Sequence, residues 1–161
     1  YVDIDFNHQT IKDQLIAAGF DPNKSTVYTL EGVSQYITKD AVRSTLGDLA
    51  ELSKNASATF FMSYVDNLLN ESPEACFGKG YPNPKKKADR IQNLSAKFGG
   101  EPWISFYSAD EIQDLLAKNG FSLTENKTLE DLNEVYFAPV GRMLSEDQIF
   151  KLEHFVVAKK G

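Results

Sequence analysis

Hydrophobic positions along the chain switch between two periods. Val2, Ile4 and Phe6 alternate with Asp3 and Asp5, a period of two that predicts a strand ending in an Asp5-Phe6-Asn7 corner. Asn7 is a fitting N-cap for a helix that carries Ile11, Leu15 and Ala18 and is closed by Gly19. A loop with Pro22, Asn23 and Ser25 leads into a second short strand, Val27 to Leu30. Thr38 then caps a helix in which Val42, Leu46, Leu49 and Leu52 share one face. The polar stretch from Lys54 to Ser57 breaks that helix, and Ala58 to Tyr64 reads as a buried strand running into Val65 and Asp66. Strands alternating with helices of these lengths predict a mostly parallel α/β sheet.

The pattern loosens from Asn67 to Gly100, where prolines and glycines accumulate. An irregular insertion of this length inside a compact domain is expected to be a lid or binding segment. Within it Ile91, Leu94 and Phe98 suggest one short helix ended by Gly99-Gly100, and the run Lys85-Lys86-Lys87 reads as a solvated loop tip. Ser108 and Glu111 form a capping box for a helix that turns Ile112, Leu115 and Leu116 inward and stops at Gly120. Phe121 to Glu125 reads as a strand, Leu129 to Val135 as a short helix, and Glu153 to Ala158 as a final strand. The last two strands are placed to pair antiparallel at a sheet edge.

Composition narrows the function. With 161 residues and 18.0 kDa the chain has the size of one domain. A net charge of −6 disfavours a nucleic-acid partner, because lysine and arginine on phosphates supply most of that affinity. There is no apolar run of about 18 residues, so no membrane span is expected. The single Cys76 and the distant His8 and His154 offer neither an internal disulfide nor a metal-ligand spacing, which fits a reducing, cytoplasmic setting and no bound metal. Asp3 and Asp5 are the kind of acid pair that holds metal in some sugar-nucleotide transferases, yet alternation sends them to opposite faces of a strand. Glu31-Gly32, at the carboxyl end of the second strand, is the stronger chemical feature. That end of an open α/β sheet faces the ligand crevice, glycine permits close backbone approach, and a carboxylate there can accept from hydroxyl or ammonium groups.

Asp5-Phe6, Glu31-Gly32-Val33, Tyr36-Ile37, the strand ending in Tyr64, Gly100-Glu101-Pro102-Trp103 and Phe155-Val156-Val157-Ala158 follow one another in that order. In this the chain resembles the leucine carboxyl methyltransferase-like family, S-adenosyl-L-methionine-dependent O-methyltransferases with a Rossmann-like sheet. The resemblance runs over essentially all of the chain. It implies that Asp5 accepts from the adenine amino group, Phe6 packs on the adenine ring, Glu31 holds the α-ammonium of the methionine moiety beside Gly32, and Tyr36 lies near the transferred methyl. Tyr64 and Trp103 would line the acceptor pocket. The acceptor would be a carboxylate or hydroxyl of a small molecule or of a protein carboxyl terminus. The glycine-rich cofactor loop that such enzymes carry upstream has no counterpart here, so the chain looks like the carboxyl-terminal portion of one domain. Its expected partner is the upstream half, in cis or as a separate chain. A non-catalytic remnant that keeps the fold without cofactor is the alternative.

Overall fold

The computed structural model describes residues 1–5, 8–97 and 102–161. Its helices are α1 (Ile11–Ala17), α2 (Lys39–Leu52), α3 (Leu68–Glu71), α4 (Pro84–Lys97), α5 (Ala109–Lys118) and α6 (Leu129–Leu132). Its strands are β1 (Thr26–Leu30), β2 (Ala58–Val65), β3 (Ser122–Thr128) and β4 (Glu153–Lys160). They form one sheet in the order β1-β2-β4-β3, with β1 parallel to β2 and β4 antiparallel to both its neighbours. Three strands therefore point the same way, and β4 is inserted, reversed, between β2 and β3. The antiparallel edge pair is β3 with β4, and β3 itself is the edge.

Two caps fix where the main helices begin. The Thr38 side chain accepts from the Ala41 amide, and Ser108 and Glu111 close the expected capping box. From those starts the 3.6-residue period brings Val42, Leu46, Leu49 and Leu52 of α2, and Ile112 and Leu116 of α5, onto one face of the sheet. There they meet Ala58, Phe60, Met62 and Tyr64 of β2 and Val156 and Ala158 of β4, with Ile11 and Leu15 of α1 at the margin. Lys39 and Glu111, 2.8 Å apart, tie the two helix starts together. The opposite sheet face is thinly covered: Val27 is 69% exposed, and Phe61 stacks on Phe155 with ring centroids 6.5 Å apart, both only partly buried.

Several local expectations need correction. Residues 1–5 join no strand: the alternation of Val2 and Ile4 is real, but a strand is defined by its ladder, and none of the described residues pairs with this segment. Thr10, whose side chain accepts from the Asp13 amide, caps the first helix; the expected cap Asn7 lies outside the described residues. β1 lies at an outer position of the sheet, and no described residue pairs with its far edge.

The segment after β2 is more regular than its composition suggests. It builds α3, a 3-10 turn at Pro73–Cys76 and the 14-residue α4. Val65, Leu69, Cys76, Phe77, Ala88 and Leu152 form a second small core there, flanked by Tyr81, Ile91, Trp103 and Phe106. Lys85, Lys86 and Lys87 stand in the first turn of α4 rather than at a loop tip, because Pro84 is pre-set for the start of a helix. The expected closing residues Phe98, Gly99 and Gly100 lie outside the described residues.

Candidate active site

Parallel pairing puts the carboxyl ends of β1 and β2 on one edge of the sheet, and the reversed β4 begins at that same edge. Every candidate residue after the first strand sits on or near it. β1 delivers Glu31 and Gly32, exposed, just past Leu30. Gly32 has φ +66°, a conformation only glycine adopts freely, and a side chain there would meet nothing within 4 Å. Glu31 has no hydrogen bond or ion pair with any described residue, leaving a carboxylate open to a cation.

The loop behind Glu31 is held rigidly. The Gly32 amide donates to Ser63 Oγ at 3.0 Å, and Ser34 Oγ donates to the Ser63 carbonyl at 2.7 Å. The Gln35 carbonyl accepts from the Ile104 amide at 2.8 Å and the Ser105 amide at 3.3 Å, while Ser105 Oγ donates to the Ile37 carbonyl at 2.6 Å. Ser34, Gln35, Ser63 and Ser105 are all buried, so water does not compete for these bonds. Tyr36 is half-buried in this fixed loop, with its amide donating to the Val33 carbonyl.

A cavity of about 380 Å³ lies beside the loop, lined by Leu30, Val33, Ile37, Ala41 and Thr45 together with Gln9 and Ile11. The side chain of Gln9 accepts from the Asp5 amide at 2.8 Å, so the Asp5 segment and the Glu31 loop border the same space. Asp5 also lies 4.0 Å from His8. Phe6 and Glu101 lie outside the described residues.

The two aromatic candidates take different places. Tyr64 is wholly buried in the core, its hydroxyl within reach of the Asn126 amide at 3.1 Å, and burial pushes its phenol up to about 12. As placed it is a core residue and not a wall of the pocket. Trp103 packs against the second core, and its indole Nε1–H is buried with no partner among the described residues. Gln35 Oε1 is buried and unpartnered likewise. Buried polar atoms of this kind cost about 1–3 kcal/mol each when left unmet.

Sequence reasoning missed one pair. His154 Nε2 lies 3.0 Å from Asp66 Oδ2, and His154 Nδ1 lies 3.1 Å from Asn126 Oδ1, with the ring stacked on Tyr64 at 4.8 Å. The side chains of His154 and Asp66 are 15% and 10% exposed. A search for metal spacing does not find them, because the sheet and not the sequence brings them together. Both imidazole nitrogens are engaged, so the ring has none free for a substrate.

Burial lowers the pKa of His154 against the opposing pull of Asp66 and Asp131. The folded protein therefore binds this proton less readily than the unfolded chain, whose histidine titrates near 6.5. The sign follows: this residue's stability contribution is complete above about pH 6.5 and erodes as pH falls below it. Thermal melting followed between pH 7.5 and 5.5 is expected to show a falling midpoint that His154→Gln flattens; an unchanged slope in the variant would assign the dependence elsewhere. The lowered carboxylates Glu111 and Asp131 lose stability in the same direction, but below the ordinary carboxylate range, outside that window.

Comparison with known proteins bears on the family and the fold. The family model described as leucine carboxyl methyltransferase matches residues 1–50. The Bacillus subtilis protein YktD, which carries the name of an S-adenosyl-L-methionine-dependent methyltransferase, is 27% identical over 99% of this chain and 48% of its own length. Among solved structures, mycolic acid cyclopropane synthase CmaA1, complexed with SAH and CTAB, superposes with a TM-score of 0.55 at 12% identity, over 89% of this chain and 57% of that one. A DUF574 family protein from Streptomyces avermitilis gives 0.55 at 12% identity, over 93% and 52%. The last two show the shared Rossmann-like fold, and the chain spans about half the length of the proteins it matches. The match at its amino-terminal end and the relative that aligns with nearly all of this chain make it similar to the leucine carboxyl methyltransferase family and to S-adenosyl-L-methionine-dependent methyltransferases.

Proposed function

We propose that this chain supplies the methionine end and the acceptor side of an S-adenosyl-L-methionine-dependent O-methyltransferase site, and that the acceptor is a carboxylate of a small molecule or of a protein carboxyl terminus. The observation that carries the reading is Glu31: a carboxylate without a partner among the described residues, at the crevice end of β1, next to a glycine at φ +66° and between Leu30 and Val33, which line a pre-formed cavity. Those residues suit the cofactor's amino-acid end, since a carboxylate can hold an α-ammonium and an open glycine lets the ligand approach the backbone.

When bound, S-adenosyl-L-methionine supplies a methyl group on a sulfonium, so that the departing thioether needs no proton. What remains for the protein is to position the acceptor and exclude water, which can lower a barrier by several kcal/mol. Glu31 would fix the donor's amino-acid end, and Asp5 would accept from its adenine amino group. Tyr36, anchored between Val33 and Ser105, would border the transfer position. The unpartnered Trp103 Nε1–H would donate to an acceptor oxygen. A carboxylate is ionised at neutral pH and needs no base, which agrees with His154 having no free nitrogen and with His8 being exposed.

The partner we propose is the upstream half of the domain, in the same polypeptide or as a second chain. Two surfaces support it: the outer edge of β1, unpaired among the described residues, and the sheet face bearing Val27, Phe61 and Phe155, which helices cover in doubly wound folds.

The test is the release of S-adenosylhomocysteine by the full-length protein, with panels of carboxylic acids, peptides and alcohols assayed from pH 6 to 9. A carboxylate acceptor is expected to give a rate nearly flat across that range. Turnover of hydroxyl compounds alone, rising with pH, would overturn the carboxylate assignment.

A further inference from the structure

Charge on this molecule is segregated. Residues 79–90 hold Lys79, Lys85, Lys86, Lys87 and Arg90 against the single Asp89, a net of +4, while the rest of an overall −6 chain carries −10. All five cations are exposed, and none forms an ion pair with any described residue. Elsewhere Lys24, Lys39, Arg43, Lys54 and Lys151 each have a carboxylate within 4.0 Å. The five form one dense cluster of exposed cations that no described carboxylate pairs.

The patch is also placed against its own helix. Lys85, Lys86 and Lys87 occupy the first turn of α4, which has no acidic residue. There they face the positive end of the helix dipole, an unfavourable arrangement for each cation. Nothing inside the described residues offsets that cost, which points to a benefit outside the molecule. The apolar side of α4 is already used: Ala88 is 1% exposed and Ile91 packs with it in the second core. What remains outward is charge without an apolar stripe, which disfavours insertion into a membrane interface. Lysines present compact, flexible charges with no planar fork for a set geometry, suited to carboxylates that arrive in varied positions.

The location gives the patch a role. The chain leaves the sheet edge at Asp66 and returns to it at Tyr107, whose amide donates to the Val65 carbonyl at 3.0 Å. The whole segment that carries α4 is thus rooted on the edge that bears Glu31.

We propose that the basic face of residues 79–90 is a docking surface for an acidic polypeptide segment, held there by long-range electrostatic attraction beside the acceptor site. This rests on the methyltransferase reading only for its role; binding to the patch is measured without cofactor or turnover, so either claim can fail while the other stands.

The experiment is fluorescence anisotropy of a labelled twelve-residue oligoglutamate peptide with the full-length protein at 50 and 200 mM salt. Binding is expected at low salt and to weaken at least tenfold at the higher salt. The triple variant Lys85→Glu, Lys86→Glu, Lys87→Glu is expected to abolish it. Acids in the first turn suit the helix dipole, so that variant should melt no lower than the parent, which separates lost binding from lost fold. Binding that survives the triple change would overturn the proposal. So would a stronger, equally variant-sensitive preference for vesicles of anionic phospholipid or for a single-stranded oligonucleotide, either of which would make the patch a surface for that other polyanion.

Discussion

Replacing Glu31 by glutamine in the full-length protein is expected to weaken S-adenosyl-L-methionine binding by roughly one to two orders of magnitude. The change keeps the side chain's size and removes only its charge. A hydrogen bond to a charged group is worth about 1.5–3 kcal/mol, and each 1.4 kcal/mol is tenfold in affinity. Glu31 is exposed and makes no hydrogen bond or ion pair with any described residue, so the fold should not register the substitution: the melting temperature should stay within a degree or so of the parent. A variant that binds the cofactor as tightly as the parent would remove Glu31 from the site. A variant that melts much lower would show that the residue has a structural partner.

Leu46→Ala is expected to destabilise the protein by about 2–5 kcal/mol, the range for leucines cut back in a packed core. Leu46 is fully buried where α2 crosses Phe60 and Met62 of β2, and neither the sheet nor the helix can move inward without displacing Val42 and Leu49 beside it. Equilibrium urea unfolding measures the loss directly. A change below half a kcal/mol would mean that this face of α2 is not the face against the sheet. Because α2 also leads out of the loop that carries Tyr36, a destabilised variant should lose cofactor affinity only near its unfolding transition and not under native conditions.

Elements that carry their own instructions were legible in the sequence. α2 announces itself by Thr38 and a leucine stripe, α5 by its capping box, and β2 and β4 by runs of aromatic and branched residues between turn signals. Elements that depend on a distant partner were not. Val2 to Phe6 has the alternation of a strand, but what makes a strand is a neighbour, and among the described residues there is none. The insertion of β4 between β2 and β3 follows from long-range pairing, of which local periodicity carries no trace. α4 was legible in part: Ile91 and Leu94 signalled a short helix, but prolines and lysines hid its start, since Pro84 suits a first helical position and Ala88 and Ile91 then fall on the side facing the second core.

The same division holds for the site. The position of Glu31 and Gly32 just past a strand end was readable because strand end, acid and glycine are adjacent in sequence. The order of short motifs then supplied a resemblance to a family, which the match over residues 1–50 and the similarity of nearly the whole chain to about half of the Bacillus subtilis relative support. Tyr64 was misplaced because a tyrosine at a strand end looks the same whether its ring faces a crevice or a core; its pairing with Asn126 and its stacking on His154 decide that, and both partners are remote in sequence. Asp66 and His154 meet for the same reason. The roles of Ser63 and Ser105 as anchors of the Glu31 to Ile37 loop likewise exist only in three dimensions.

Calorimetric titration of S-adenosylhomocysteine into the full-length protein tests the central claim most directly, since it needs no knowledge of the methyl acceptor. The account predicts saturable binding at one site with a Kd in the micromolar range that weakens when Glu31 is changed to glutamine. Absence of binding up to millimolar ligand by a folded full-length protein would contradict it, and would leave a methyltransferase fold without its cofactor.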